Sequence, residues 1–257
     1  MDLIVKNGTL ITACEKYQAD IGIADGRIVC IGKFPEGLEK SRETVDATGK
    51  YVFPGIIDAH VHFQLPMAGT VSNDDFENGT KAAACGGVTT IIDYATQEKG
   101  KRLIPSIHAR RKEADGKVCI DYSLHAGVTD WDLARSEMEE LFSGGISSLK
   151  MFMAYKDRGL MSDDTALFEA LEESQRRGGV VSVHAESSPV LDFLVQRYHG
   201  QKEKYGLRAH SLSRPDILEV EAIERASRWA ELSGGTLYIV HTSTGEGVKV
   251  ARKARKR

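Results

Sequence analysis

Ala166-Leu167-Phe168-Glu169-Ala170-Leu171-Glu172-Glu173-Ser174-Gln175-Arg176-Arg177-Gly178-Gly179-Val180-Val181-Ser182-Val183-His184 holds one whole period of the pattern that organises this chain. Ala166, Leu167, Ala170 and Leu171 return at spacings of three and four, as on a helix with one buried face. Gly178-Gly179 ends that helix, because glycine past a helix terminus takes the left-handed conformation at little cost. Val180-Val181-Ser182-Val183 then reads as a strand covered on both faces, and His184 stands at its end.

The same order repeats on either side. Apolar, β-rich runs occupy 56–63, 88–95, 118–128, 146–154, 180–184 and 237–241. Helical patterns such as Leu133, Met138, Leu141 and Phe142 lie between them, and Gly86-Gly87, Gly144-Gly145 and Gly234-Gly235 close further helices. Alternating β and α elements predict a parallel sheet, and both a barrel and a doubly wound sheet satisfy the pattern. Neither G-x-G-x-x-G after a strand nor G-x-x-x-x-G-K-[ST] occurs, which argues against a nucleotide site. Before Gly55 the grammar differs. Asn7-Gly8 and Asp25-Gly26 each sit between apolar runs, predicting two-residue hairpins in a small β module that closes around Phe53-Pro54-Gly55.

With 257 residues, 41% hydrophobic and 28% charged, the chain can bury a substantial core as one large domain and one small one. A net charge of -3 gives no electrostatic reason to expect nucleic acid or an acidic membrane as partner. Lys249, Arg252, Lys253, Arg255, Lys256 and Arg257 crowd the C-terminus and read as one solvated helical face. The four cysteines, Cys14, Cys30, Cys85 and Cys119, form no C-x-x-C pair and suit free thiols in a reducing cytoplasm. No signal peptide or membrane span is expected.

Four of the eight histidines end strand runs on one rim, where parallel α/β folds place their active sites. His60 and His62 are two apart, so on a strand both imidazoles point to one face and can grip a metal. His184 and His241 end two further runs. His108, His199 and His210 read as surface or structural, and His125, short of its strand's end, is set outside the metal group. Lys150 lies inside Ser148-Leu149-Lys150-Met151-Phe152-Met153, where an unpaired ammonium is expensive to bury. A salt bridge is one reading of it. The other is a lysine whose desolvated amine reacts with carbon dioxide, giving a carbamate able to bridge two metal ions.

These residues carry a resemblance. The stretches Phe53–His62, Gly69–Phe76, Gly79–Ala83, Gly86–Thr90, Ser148–Lys150 with Tyr155, Val183–Glu186, His210–Pro215 and Ile239–His241 resemble cyclic amidohydrolases of the dihydropyrimidinase and hydantoinase type. The resemblance implies a TIM-like (β/α) barrel of the amidohydrolase type over 55–257, incomplete with about six of eight strands, after a small β-sandwich module over 1–54. It also implies two divalent metal ions, with zinc the expected metal. His60 and His62 would hold one, His184 and His241 the other, and N6-carboxylated Lys150 would span both. A metal-bridged hydroxide is the implied nucleophile, and Tyr155 the donor to the oxyanion.

Dihydroorotases carry an arginine two residues after the second histidine; here Gln64 stands there, implying a neutral small-molecule ring such as a dihydropyrimidine or a 5-substituted hydantoin. Phe63–Met67 and Lys156–Met161 resemble the loops around the substrate's exocyclic side. The resemblance further implies a homotetramer, and the free thiols, with no signal peptide or membrane span expected, set it in the cytoplasm. Because the sequence stops in the helix after strand six, it is expected to be a fragment lacking the aspartate that completes the first metal site, inactive or poorly soluble alone. A non-enzymatic scaffold and a truncated regulatory subunit are the alternative readings.

Overall fold

The computed structural model describes residues 1–34, 40–67 and 69–256; Arg257, last of the C-terminal basic residues, lies outside them. Two compact units divide the chain, Met1–Ile56 and Ile57–Arg257.

The first unit is a mixed sheet of β1 (Leu3–Ile11), β2 (Lys16–Ala24), β3 (Arg27–Gly32), β4 (Glu43–Asp46) and β5 (Tyr51–Val52). Its order is β3-β2-β1-β4, with β5 also on β1. Among the described residues this unit holds one layer of strands. Asp25 and Gly26 both have positive φ, 51° and 70°, and link β2 to β3 through the expected two-residue turn. Asn7-Gly8 corrects the other expectation: β1 runs straight through it, with a bulge between Val5 and Gly8. Only Asn7 has positive φ there. Its backbone N–H donates to Asp20 Oδ1 at 2.8 Å and its side-chain amide to Asp46 Oδ1 at 3.1 Å. Those cross-strand partners re-aim the strand where a hairpin would have reversed it.

The second unit contains β6 (Ile56–Asp58), β7 (Pro66–Met67), β8 (Thr70–Val71), β9 (Val88–Thr96), β10 (Asp121–Gly127), β11 (Ser148–Phe152), β12 (Val180–His184) and β13 (Thr236–Ile239). Its helices are α1 (Phe76–Cys85), α2 (Leu103–Ala114), α3 (Trp131–Ala134), α4 (Met138–Ser143), α5 (Asp164–Arg177), α6 (Ser188–His199), α7 (Lys202–Tyr205), α8 (Arg208–Leu212), α9 (Ile217–Ser233) and α10 (Gly245–Ala254). Six strands form one sheet in the order β13-β12-β11-β10-β9-β6. Neighbours in sequence are neighbours in the sheet, and β9 through β13 pair in parallel. This is the winding of a (β/α) barrel, with six of the usual eight strands among the described residues. The order rules out the doubly wound alternative, whose strand order reverses at a switch point.

Strand periodicity sorts the core from the rim. Leu149 and Met151 of β11 and Val181 and Val183 of β12 pack in one apolar cluster with Leu167, Ala170 and Leu171 of α5 and Ala222, Ile223 and Ala226 of α9. The intervening Lys150 and Ser182 are register partners facing the other way. Gly235 precedes β13 because a Cβ there would lie 2.6 Å from the Leu171 carbonyl oxygen of α5.

Two other elements depart from expectation. The helix expected across Leu133–Phe142 breaks into α3, a 3-10 turn at Arg135–Glu137, and α4. Glu137, 1% exposed, accepts from the Leu103 N–H at 2.6 Å and from Arg102 Nε at 2.9 Å, and so is drawn to the start of α2. The first barrel strand ends at Asp58, whose Oδ1 accepts from the His60 N–H at 3.1 Å. His60 and His62 therefore follow the strand and are not part of it.

Candidate metal centre

The five expected ligands converge despite that shorter strand. The His60 and His62 rings are 5.1 Å apart, His60 and His241 5.3 Å, and His184 and His241 4.8 Å. His184 closes β12, while His241 sits two residues past β13 in the left-handed region at φ 38°. Lys150, in the middle of β11 and 3% exposed, has an Nζ with no hydrogen-bond partner among the described residues, and the Phe152 ring lies 5.1 Å from it. Burial pushes its amine down from 10.5 to about 7. Burial, followed by the neighbouring His62, Lys150 and His241, brings His60 to about 4. Burial, then Lys150 and His184, does the same to His241. Burial thus favours the neutral forms of His60, His62 and His241 and of the Lys150 amine beside them.

Spacing decides what such a group can hold. Two nitrogens on one tetrahedral zinc, at about 2.0–2.1 Å each, lie roughly 3.3 Å apart. His184 Nδ1 and His241 Nε2 are 3.2 Å apart, which fits one such cation. Among the described residues no three His, Cys, Asp or Glu side chains stand ready to hold a single ion. Pairs of imidazoles near a buried lysine are what the chain offers.

The surroundings fix the ligands. His184 Nε2 is 2.9 Å from Glu186 Oε2, and Arg214 Nε is 3.5 Å from Glu186 Oε1. Burial pushes the Glu186 carboxyl up, but His184 and Arg214 outweigh it and leave it lowered. A carboxylate on the far nitrogen of a ligating histidine orients the ring and raises its basicity. After His62 the chain is clamped: buried Asp93 accepts from the Phe63 N–H at 2.9 Å and from Arg110 at 3.0 Å, and Arg110 also donates to the Phe63 carbonyl.

Tyr155 lies at φ 67°, with its ring 4.8 Å from that of His184. Burial and then Glu186 push its hydroxyl up, so it remains a proton donor. The Gln64 side chain turns back to accept from the Phe76 N–H at 3.4 Å. The Lys156–Arg158 segment forms a 3-10 turn directly after Tyr155.

His125 is engaged at both nitrogens, Nδ1 with Ser148 Oγ at 2.5 Å and Nε2 with the Ala59 carbonyl at 2.9 Å. His108, His199 and His210 are exposed. Tyr94, Asp93, Glu186 and Arg214 were not singled out from sequence as parts of the site. Asp93 carried a readable signal, a carboxylate inside the apolar run of β9. Tyr94 carried none, since a tyrosine in a strand is ordinary packing. A polar cleft of about 350 Å³ lies between Thr129–Asp132 and the start of α5, and none of the expected ligands lines it.

Comparison with known proteins follows this geometry. A profile described as the amidohydrolase family matches residues 51–231. The D-hydantoinase of Geobacillus stearothermophilus is 42% identical over 258 residues, covering 99% of this chain and 54% of its own length. The dihydropyrimidinase of Rattus norvegicus is 38% identical over 264 residues, covering 99% and 50%. The crystal structure of dihydropyrimidinase from Brevibacillus agri superposes with a TM-score of 0.92 at 40% identity, over 100% of this chain and 55% of that one. The chain spans about half the length of the curated relatives it matches.

Proposed function

The chain belongs to the amidohydrolase family, and from that premise we propose that it carries the metal centre of a hydrolase that opens a cyclic amide ring, a dihydropyrimidine or a 5-substituted hydantoin. One observation carries the reading: the Lys150 amine is buried, without a hydrogen-bond partner among the described residues, and near the imidazoles of His60, His62 and His241. A buried cation without a hydrogen-bond partner is a net cost to folding, and among the described residues the Phe152 ring, 5.1 Å from Lys150 Nζ, is what faces this one. The names of the relatives, D-hydantoinase and dihydropyrimidinase, support the substrate class.

When bound, two divalent ions, zinc the expected metal, would supply Lewis acidity and a water acidic enough to ionise near neutral pH. The neutral Lys150 amine would add to carbon dioxide, forming a C–N bond and releasing one proton, and the carbamate would give it a negative charge with which to help hold the ions. His60 and His62 would hold one ion and His184 and His241 the other, with Glu186, 2.9 Å from His184 Nε2, keeping the His184 lone pair on Nδ1. Tyr155, kept protonated by burial, donates to the ring carbonyl oxygen as negative charge develops there. Gln64, neutral and tied to the start of α1, presents no cation for a substrate carboxylate, which favours an uncharged ring. Four exposed free thiols suit the reducing cytoplasm that we assign. Homotetrameric assembly is part of the same proposal.

The test is metal analysis with ring-opening assays on dihydrouracil and a 5-substituted hydantoin, using a protein that contains this sequence. Close to two ions per chain, with turnover that chelation abolishes and metal restores, is the expected result. Turnover that survives complete metal removal would refute the proposal.

A further inference from the structure

Tyr94 stands on β9 with its ring 4.9 Å from that of His60, 4.7 Å from His62 and 4.8 Å from His125. It is 7% exposed. A phenylalanine would fill the same space among the three imidazoles, so packing does not explain the hydroxyl, and a buried hydroxyl without a partner is unfavourable. Its partner is His60 Nδ1, 3.0 Å away.

The direction of that hydrogen bond has a consequence for the metal centre. Were the phenol to donate to Nδ1, neutral His60 would carry its hydrogen on Nε2. With Nδ1 taken by Tyr94, Nε2 is the nitrogen left for a cation, and a hydrogen there would block it. Lys150, His62 and His241 already disfavour positive charge on this ring, so a lone pair turned toward them is better placed than an N–H dipole. Burial pushes Tyr94 ionisation up, so the phenol oxygen accepts while keeping its own proton.

We propose that Tyr94 is a positioning residue whose hydroxyl oxygen accepts the Nδ1 proton of His60, holding that imidazole as the tautomer with a bare Nε2 for the first metal. The inference rests on the metal reading proposed above, and it makes the two halves of the centre unlike. His184 is oriented by a carboxylate, Glu186, while His60 is oriented by a neutral phenol. Outer partners of this kind change metal affinity by about 10- to 100-fold.

Long-range proton–nitrogen NMR on metal-free protein labelled with nitrogen-15 histidine reads the tautomer directly, with His60→Gln assigning the signal. His60 is expected as Nδ1–H, changing toward Nε2–H in Tyr94→Phe. His125, whose Nε2 faces the Ala59 carbonyl, is the internal control and keeps its tautomer. In cobalt(II) chloride titrations, Tyr94→Phe is expected to weaken one binding step about 10- to 100-fold, and to leave the step that His184→Ala removes unchanged. His60 already protonated on Nε2, or a tautomer identical in Tyr94→Phe, would overturn the proposal. Wild-type protein that binds no cobalt but shows the expected His60 tautomer would leave Tyr94 in its assigned role and defeat the metal reading instead.

Discussion

His184 Nδ1 and His241 Nε2 face each other at 3.2 Å, from the ends of adjacent parallel strands. Two neutral imidazoles share at most one proton at that distance, whereas a divalent cation between them satisfies both lone pairs. His241→Ala is therefore expected to lose one of two bound ions while the fold is retained, because among the described residues His241 belongs to no apolar core cluster. Metal content after gel filtration, read beside circular dichroism, checks this.

Lys150→Met separates stability from chemistry. Methionine matches the length of the buried lysine without its charge, so metal-free protein should be as stable as wild type or more stable, by about 1–3 kcal/mol at neutral pH. Metal binding should collapse. Denaturant midpoints and metal content report the two effects independently.

The pH dependence of the metal-free protein follows from the same groups. His60 and His241 protonate near 6.5 when unfolded but only at about 4 when folded. The unfolded state therefore binds more protons in between, and stability falls as pH drops from 6.5 toward 4. Lys150 holds its proton to 10.5 unfolded but only to about 7 folded, so stability rises as pH climbs through that window. Urea midpoints at pH 5, 7 and about 9.5 should increase in that order, and Lys150→Met should flatten the upper step.

Tyr155→Phe should lower turnover of the active enzyme by about 100-fold or more, the usual effect of removing one oxyanion donor. Bound metal should be unchanged, since the ring of Tyr155 and not its hydroxyl packs against His184. A parallel loss of metal would assign the residue to structure.

Arg110→Met leaves the Asp93 carboxylate, 1% exposed by its side chain, without its cation. Breaking a buried pair from one side costs about 3–5 kcal/mol. The loss should appear as a lower denaturant midpoint, and the freed turn after His62 should weaken the His60–His62 metal step.

Much of the fold was legible because strand, helix and glycine punctuation are local. The run of apolar residues and the pair Gly178-Gly179 place α5 and β12 without any knowledge of neighbours. Where legibility failed, a distant partner had intervened. Asp20 and Asp46 turned an apparent hairpin at Asn7-Gly8 into a bulge, and Arg102 with the Leu103 N–H pulled Glu137 out of a helix. Neither partner is close in sequence, so no window of residues carries the information.

The candidate site divides in the same way. His60, His62, Lys150, His184 and His241 stand out in the sequence because histidines close apolar runs and an ammonium sits within one, a pattern readable without knowing that of these histidines only His184 lies inside its strand. That Lys150 has no hydrogen-bond partner among the described residues, that His184 and His241 approach to 3.2 Å, and that Tyr94 and Glu186 meet one nitrogen each of His60 and His184 was decided by the tertiary structure. The contacts of Lys150, Tyr94 and His241 depend on the register of separate strands wound into one sheet, which brings together residues as far apart in sequence as His60 and His241.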